Sequence, residues 1–296
     1  MQSGDGCFRN LPEVNNRMVF VYSKWEKFCR LLKENDITSV TAETLLTSGY
    51  EQQGKKRFVT LKHDVESNPA KALDIARIES SYGHHASYYV QAYLMTDENQ
   101  SVFKEIQALG HEVSYHHSVI DFALGDISLA MNRYEQDVDI FQKYGFPIKT
   151  VCQHGDSSSQ YENRDFFRSQ EVRNKFPDHS DLMVDFMERI GHPYTYISDV
   201  GMQFKIINDP LLVKNLSNED EYIVLGGMDS LLSYIIKNPS DSFIISAHPH
   251  RYSKSAAQAV ARKFIFRCLK SIGKIIFLIP GVRKFVFKNN NLIRYI

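Results

Sequence analysis

Between residues 58 and 153, apolar strand-like runs alternate with amphipathic helical stretches, and every helix stops at a glycine. The strand runs are 58–63, 86–91, 111–115 and 148–153; the helices are 69–82, 97–109 and 126–144, closed by Gly83, Gly110 and Gly145. Glycine just past a helix supplies the left-handed residue that ends it. Strand starts 28, 25 and 37 residues apart leave room for one helix between successive strands. That spacing specifies parallel pairing, because a parallel return needs a crossover of a dozen or more residues. Further apolar runs at 182–186, 194–198, 204–207 and 243–247 bring the expected total to about seven parallel strands, which fits a barrel. With 43% hydrophobic residues among 296, the chain can bury a full core of that size.

The flanks differ from this middle. Trp25, Phe28, Leu31 and Leu32 recur at helical spacing behind Ser23, and a second short helix is expected over 42–46, so residues 1–54 form an N-terminal helical segment that caps one barrel end. The barrel occupies 55–252. Residues 253–296 form a basic extension: from Arg251 to the end there are 11 basic residues and no acidic one. In it Ala257, Ala261, Phe264, Ile265, Cys268, Ile272, Ile275, Ile276 and Ile279 share one helical face, with Lys263, Arg267, Lys270 and Lys274 on the other. Such a helix either packs on the barrel or lies in the surface of an anionic membrane.

The zero net charge argues against a nucleic-acid partner, and Cys7, Cys29, Cys152 and Cys268 have neither zinc-ribbon nor disulfide-framework spacing. The start has no basic, apolar signal pattern, and no run reaches the roughly 18 apolar residues of a membrane span. The expected location is the cytoplasm, with peripheral contact at the inner membrane face through the C-terminal helix.

Chemistry in parallel barrels sits at the C-terminal ends of the strands. Here those ends carry His63 and Asp64 with Glu66, then His116 and His117, then His154 and Asp156, then His248 and His250. Imidazole and carboxylate together suit a divalent ion or proton transfer, and four strand ends carrying them point to one rim.

The segments Leu61-Lys62-His63-Asp64-Val65-Glu66, Gly110-His111-Glu112-Val113-Ser114-Tyr115-His116, Gln153-His154-Gly155-Asp156 with Asn163-Arg164-Asp165, and Ile245-Ser246-Ala247-His248-Pro249-His250-Arg251-Tyr252 together resemble the polysaccharide deacetylase-like family, related to carbohydrate esterases that remove acetyl groups from amino sugars. The resemblance covers roughly residues 20–255 and implies a distorted (β/α) barrel and a metal-assisted deacetylation. The family's first motif ends in two aspartates, a general base and then a metal ligand. By that match Asp64 is a ligand and His63 holds the base position, with Glu66 as the other candidate base. The second motif supplies two histidines four apart; His116 matches the first, but Ile120 cannot coordinate. The third ligand is therefore sought among His154, Asp121 and Glu66, with His154 preferred because it ends an adjacent strand.

His248 matches the family's late histidine that protonates the leaving group. Asp156, Asn163, Arg164 and Asp199 are assigned to the substrate side; Asn163 and Arg164 either hold a sugar or cap the next helix, and Asp199 is either an orienting carboxylate or a turn residue that ends a strand. The expected activity is removal of an acetyl group from an amino sugar, in a surface glycan or its precursor, with Zn2+ as the divalent ion. Two alternatives stand beside it: a catalytically inactive carbohydrate-binding relative, and a barrel hydrolase of another amide or ester.

Overall fold

The computed structural model describes residues 20–48, 58–155, 159–189, 194–207, 222–239, 241–262 and 264–265. Asp156 and the C-terminal helix beyond Ile265 lie outside the described residues. Within them the chain is a mixed α/β structure built on a largely parallel sheet.

The central strand β2 spans Phe58–Val65, and all eight of its residues are buried. Burial on both sides is what a parallel strand covered by helices requires. Because side chains alternate across a strand, its residues divide into two sets. Val59, Leu61 and Val65 join the large apolar cluster formed with Trp25, Phe28, Ala72, Ile75, Phe103 and Leu231 from the surrounding helices. Phe58 joins a smaller cluster with Tyr89, Cys152, Tyr196 and Ile244 on the opposite face. Lys62 and Asp64 share that second face with Phe58.

The other strands are β1 (Thr38–Val40), β3 (Ser87–Val90), β4 (Glu112–His117), β5 (Thr150–Gln153), β6 (Ser180–Asp181), β7 (Tyr194–Ser198), β8 (Phe204–Ile207), β9 (Tyr222–Gly226) and β10 (Ser242–Ala247). Their order is β6-β5-β4-β3-β2-β10-β7-β8-β9. Pairing is parallel from β6 through β7 and antiparallel from β7 to β9. Strand β10 takes residues 59–63 along one edge of β2, while β1 and β3 share the other at 58–60 and 62–65.

Three expectations are corrected here. The strand at 204–207, counted among the parallel ones, runs antiparallel to β7. Among the described residues β6 and β9 do not pair, so the sheet is open where a closed barrel was expected. The run at 182–186 is no strand: Leu182–Arg189 is helical. Asp181 sets that start, its Oδ1 accepting the backbone N–H of Met183 and of Val184, both at 2.9 Å. A short apolar run looks the same in either state. The three glycine stops are as expected, with φ of +79° at Gly83, +90° at Gly110 and +76° at Gly145. At Gly110 a Cβ would also lie 2.7 Å from the His85 ring, so space and backbone both demand glycine.

The N-terminal segment shares this core. Helix α1 (Tyr22–Glu34) buries Trp25, Phe28, Cys29 and Leu32. Its Trp25 Nε1 donates to Glu79 Oε1 at 3.1 Å, while Tyr88 donates to Glu79 Oε2 at 2.7 Å and His63 Nε2 lies 2.7 Å from Oε1. Glu79 is wholly buried. Glu79→Ala leaves an indole, a phenol and an imidazole without their acceptor, so unfolding free energy should fall by about 3–5 kcal/mol. Urea denaturation measures this, and a loss under about 1 kcal/mol would show that the network contributes little.

Candidate active site

A cavity of about 420 Å³ opens where the parallel strands end. Lys62, Asp64 and Glu66 enter it from β2 by the two-residue alternation, His116 from β4, His154 just beyond β5, and Ser246 and His248 from the end of β10. Register brings them together: Ser246 is the partner of Lys62, and His116 of Cys152.

Glu66 is the centre of the group. Its Oε1 lies 3.9 Å from His116 Nε2, 3.3 Å from His154 Nε2 and 3.6 Å from His248 Nε2. Burial alone would raise this carboxyl; the three imidazoles hold it well below the usual carboxylate range. His116 Nδ1 donates to the carbonyl of Cys152 at 3.0 Å, which puts the ring's lone pair on Nε2. That buried Nε2 has no hydrogen-bond partner. Burial also lowers the His116 pKa against the pull of Asp64, favouring the neutral ring a metal needs.

His248 is braced from behind. Its Nδ1 donates to Asp199 Oδ1 at 2.6 Å and its backbone N–H to Asp199 Oδ2 at 2.9 Å. Arg251 donates to the same carboxylate at 2.5 Å and to the Asp199 carbonyl at 2.7 Å. Against burial, which would raise it, Arg251 and then His248 hold the Asp199 carboxyl below its ordinary value. The Nε2 of His248 is left facing Glu66 and, at 3.8 Å, Asp64 Oδ2.

Asp64 has a different neighbour. Lys62 Nζ donates to its Oδ2 at 2.8 Å, and Ser246 Oγ lies 3.4 Å from the same oxygen. Oδ1 is buried without a hydrogen bond, 4.0 Å from His116 Nδ1. Burial would raise the Asp64 carboxyl, but Lys62, then His116 and His248, draw it well below the carboxylate range.

Two donor groups are close enough to share an ion. Donor atoms of Glu66, His116 and His154 lie within 4.8 Å of one another, and so do those of Asp64, His116 and Cys152. The first fits: one carboxylate and two imidazoles are zinc-type donors, and the unpartnered His116 Nε2 is aimed among them. The second does not, because the His116 Nδ1 that lies beside Asp64 is already spent as a donor to the Cys152 carbonyl.

Several assignments change place as a result. His63 lies on the far side of β2, bonded to Glu79 and stacked at 4.6 Å on Tyr88, so it is removed from the base position; one residue in a strand reverses the side chain. Asp121 accepts from Asn163 Nδ2 at 2.7 Å and from the Ser159 hydroxyl, outside the donor groups. Glu66 stands beside His116 and His154 where Asp64 was expected. Asp199 is wholly buried and bonded to His248 Nδ1, not on the cavity wall where a substrate residue was expected.

Asn163 lines the cavity with its polar atoms engaged: Oδ1 accepts from the N–H of Ile120 and of Asp121, both at 3.1 Å, and Nδ2 also reaches the His154 carbonyl at 2.9 Å. Arg164 is on the wall, paired with Glu162. Ile120, at the family's second-histidine position, is in the apolar core. Lys62 and Arg251 carried no role in the sequence reading. The two-residue alternation from Asp64 back to Lys62 was the available signal for the first.

No protein-family model matches the sequence, and no curated protein matches it. Solved structures do. A Streptococcus pyogenes deacetylase, PplD, in complex with acetate is 13% identical with a TM-score of 0.44, over 58% of this chain and 76% of that one. A Streptococcus mutans CE4 esterase is 13% identical with a TM-score of 0.43, over 79% and 89%. BA3943, a CE4 family pseudoenzyme from Bacillus anthracis, is 13% identical with a TM-score of 0.39, over 73% and 61%. The chain is thus similar in structure to CE4 deacetylases and esterases, a pseudoenzyme among them.

Proposed function

We propose that this chain is a metal-dependent hydrolase that removes an acetyl or similar acyl group from an amino sugar, in a glycan or its precursor. The observation that carries the reading is Glu66 set among the Nε2 atoms of His116, His154 and His248, the last held from behind by a buried carboxylate. Glu66, His116 and His154 would hold the ion, with Zn2+ matching the donors. Bound there, a divalent ion supplies a polarised amide carbonyl and a more acidic water.

The remaining work falls to side chains of the chain itself. Asp64, kept ionised by Lys62 and with Oδ1 uncommitted, accepts the water proton. His248, its Nδ1 proton fixed on Asp199, delivers a proton from Nε2 to the departing nitrogen. Acetate and a free amine leave. The cavity of about 420 Å³ has room for one sugar ring and its acyl group.

The test is elemental analysis of the purified protein together with acetate release from N-acetylated amino sugars and their oligomers. One zinc per chain with chelator-sensitive acetate release is the expected result. Stoichiometric metal without release on any such substrate favours another amide or ester; neither metal nor release favours the non-catalytic relative, the reading that Ile120 supports.

Peripheral contact with the inner membrane face belongs to the same proposal. Val260, Phe264 and Ile265 are 53%, 67% and 56% exposed, so these apolar side chains do not pack on the sheet domain. They lie in the run that holds 11 basic residues and no acidic one. Flotation with phosphatidylserine vesicles at low salt should carry the intact protein and lose it at high salt; protein that stays in solution at low salt disproves the contact.

A further inference from the structure

Lys62 and Asp64 are two residues apart on the strand face that continues to Glu66, so three charged side chains enter one cavity in a row. Lys62 is 2% exposed, and its Nζ lies 2.8 Å from Asp64 Oδ2, 3.5 Å from Ser246 Oγ and 6.0 Å from the Tyr196 ring centre. A buried ammonium so placed cannot move aside into water. We infer that Lys62 is a positioning residue, a resident cation that keeps Asp64 out of the metal's donor set, so that two carboxylates on one strand do two different jobs.

Charge supplies the reason. Lys62 and Asp64 pair with each other, which leaves Glu66 as the carboxylate that faces the imidazoles of His116 and His154 and can meet a divalent ion there. An ion drawn toward Asp64 would approach a fixed like charge inside a poorly screened cavity. Asp64 thereby keeps Oδ1 without a hydrogen bond, open to accept a proton. Without Lys62, Asp64 and Glu66 would both face the ion and the site would become a two-carboxylate centre.

The inference rests on the metal-binding reading above, and the experiment separates the two. Zn2+ alone is titrated calorimetrically at fixed pH into the full chain and into Lys62→Met, Lys62→Arg, the double variant Lys62→Met/Asp64→Asn, and Glu66→Gln. Circular dichroism and thermal unfolding report whether each is folded. Lys62→Met should bind zinc at least about tenfold more tightly than the wild type, Lys62→Arg should match the wild type, and the double variant should return to within about threefold of it.

Should Lys62→Met fail to fold, Lys62→Gln keeps a neutral donor to Asp64 and should show the same tightening. A double variant that loses zinc as Glu66→Gln does would make Asp64 a ligand and overturn the inference while sparing the metal centre. Wild-type affinity in Lys62→Met and Lys62→Gln would overturn it as well. If the wild type binds no zinc but Lys62→Met does, the metal reading fails and Lys62 is the reason. If neither binds, both ideas fall.

Discussion

Replacing Glu66 by glutamine is expected to empty the metal centre and to lower turnover by about four orders of magnitude. Glutamine keeps the size of the side chain but not the anionic donor, and the oxygen it alters faces His116, His154 and His248 at 3.9, 3.3 and 3.6 Å. Loss of Lewis-acid assistance removes several kcal/mol of transition-state stabilisation, and each 1.36 kcal/mol is tenfold in rate. His116→Ala should behave alike, since it deletes the Nε2 that is buried without a hydrogen-bond partner. Zinc content and kcat/KM are measured on the same preparations. Full zinc in Glu66→Gln would remove this carboxylate from the centre.

His248→Ala should separate proton delivery from metal binding. Zinc content should stay at the wild-type level while kcat falls by about 10²- to 10⁴-fold, the range for one general acid or base. The brace behind the ring makes the prediction specific. Asp199 fixes the Nδ1 proton at 2.6 Å and is itself held by Arg251 at 2.5 Å, so the ring presents Nε2 in one orientation. Asp199→Asn should therefore lower kcat as well, with zinc again retained. An unchanged rate in His248→Ala would exclude the histidine from the reaction.

Most of the parallel sheet was legible because its signals are local. An apolar run, a helix of one crossover length and a glycine at its end repeat through Gly145, and each is a property of neighbouring residues. The return of β8 and β9 was not legible in the same way. The short 199–203 connection carries Gly201 at φ +70° and turns β7 back antiparallel onto β8, a signal that the crossover spacing does not use, and β9 is not read from the sequence. The apolar run at 182 was read as strand because a buried strand and a buried helical turn have the same composition; Asp181, the cap that decides it, precedes the run.

At the site, residue type was legible and direction was not. His63, Asp64 and Glu66 are neighbours in sequence, but a strand sends the first toward Glu79 and the other two into the cavity. Fixing the alternation at Phe58 would have moved His63 out and brought Lys62 in. Asp199 was legible as an orienting carboxylate, but the group it faces was not. Its partner His248 lies 49 positions away, and only the pairing of β7 with β10 makes them neighbours.

The pairing of β2 with β10 also sets a timetable for the nascent chain. Ser246 approaches Asp64 across 182 positions, so at ordinary rates of synthesis the ribosome needs about 10–40 s to supply the second strand after the first. During that interval one whole edge of β2 is an open template for the wrong partner. The donors Glu66, His116 and His154 are all made by residue 154, and His248 is made near the end of that wait. A half-made chain thus carries the three groups proposed to hold the ion and lacks the histidine proposed to deliver the proton, so proton delivery is the last part of the proposed site to be made.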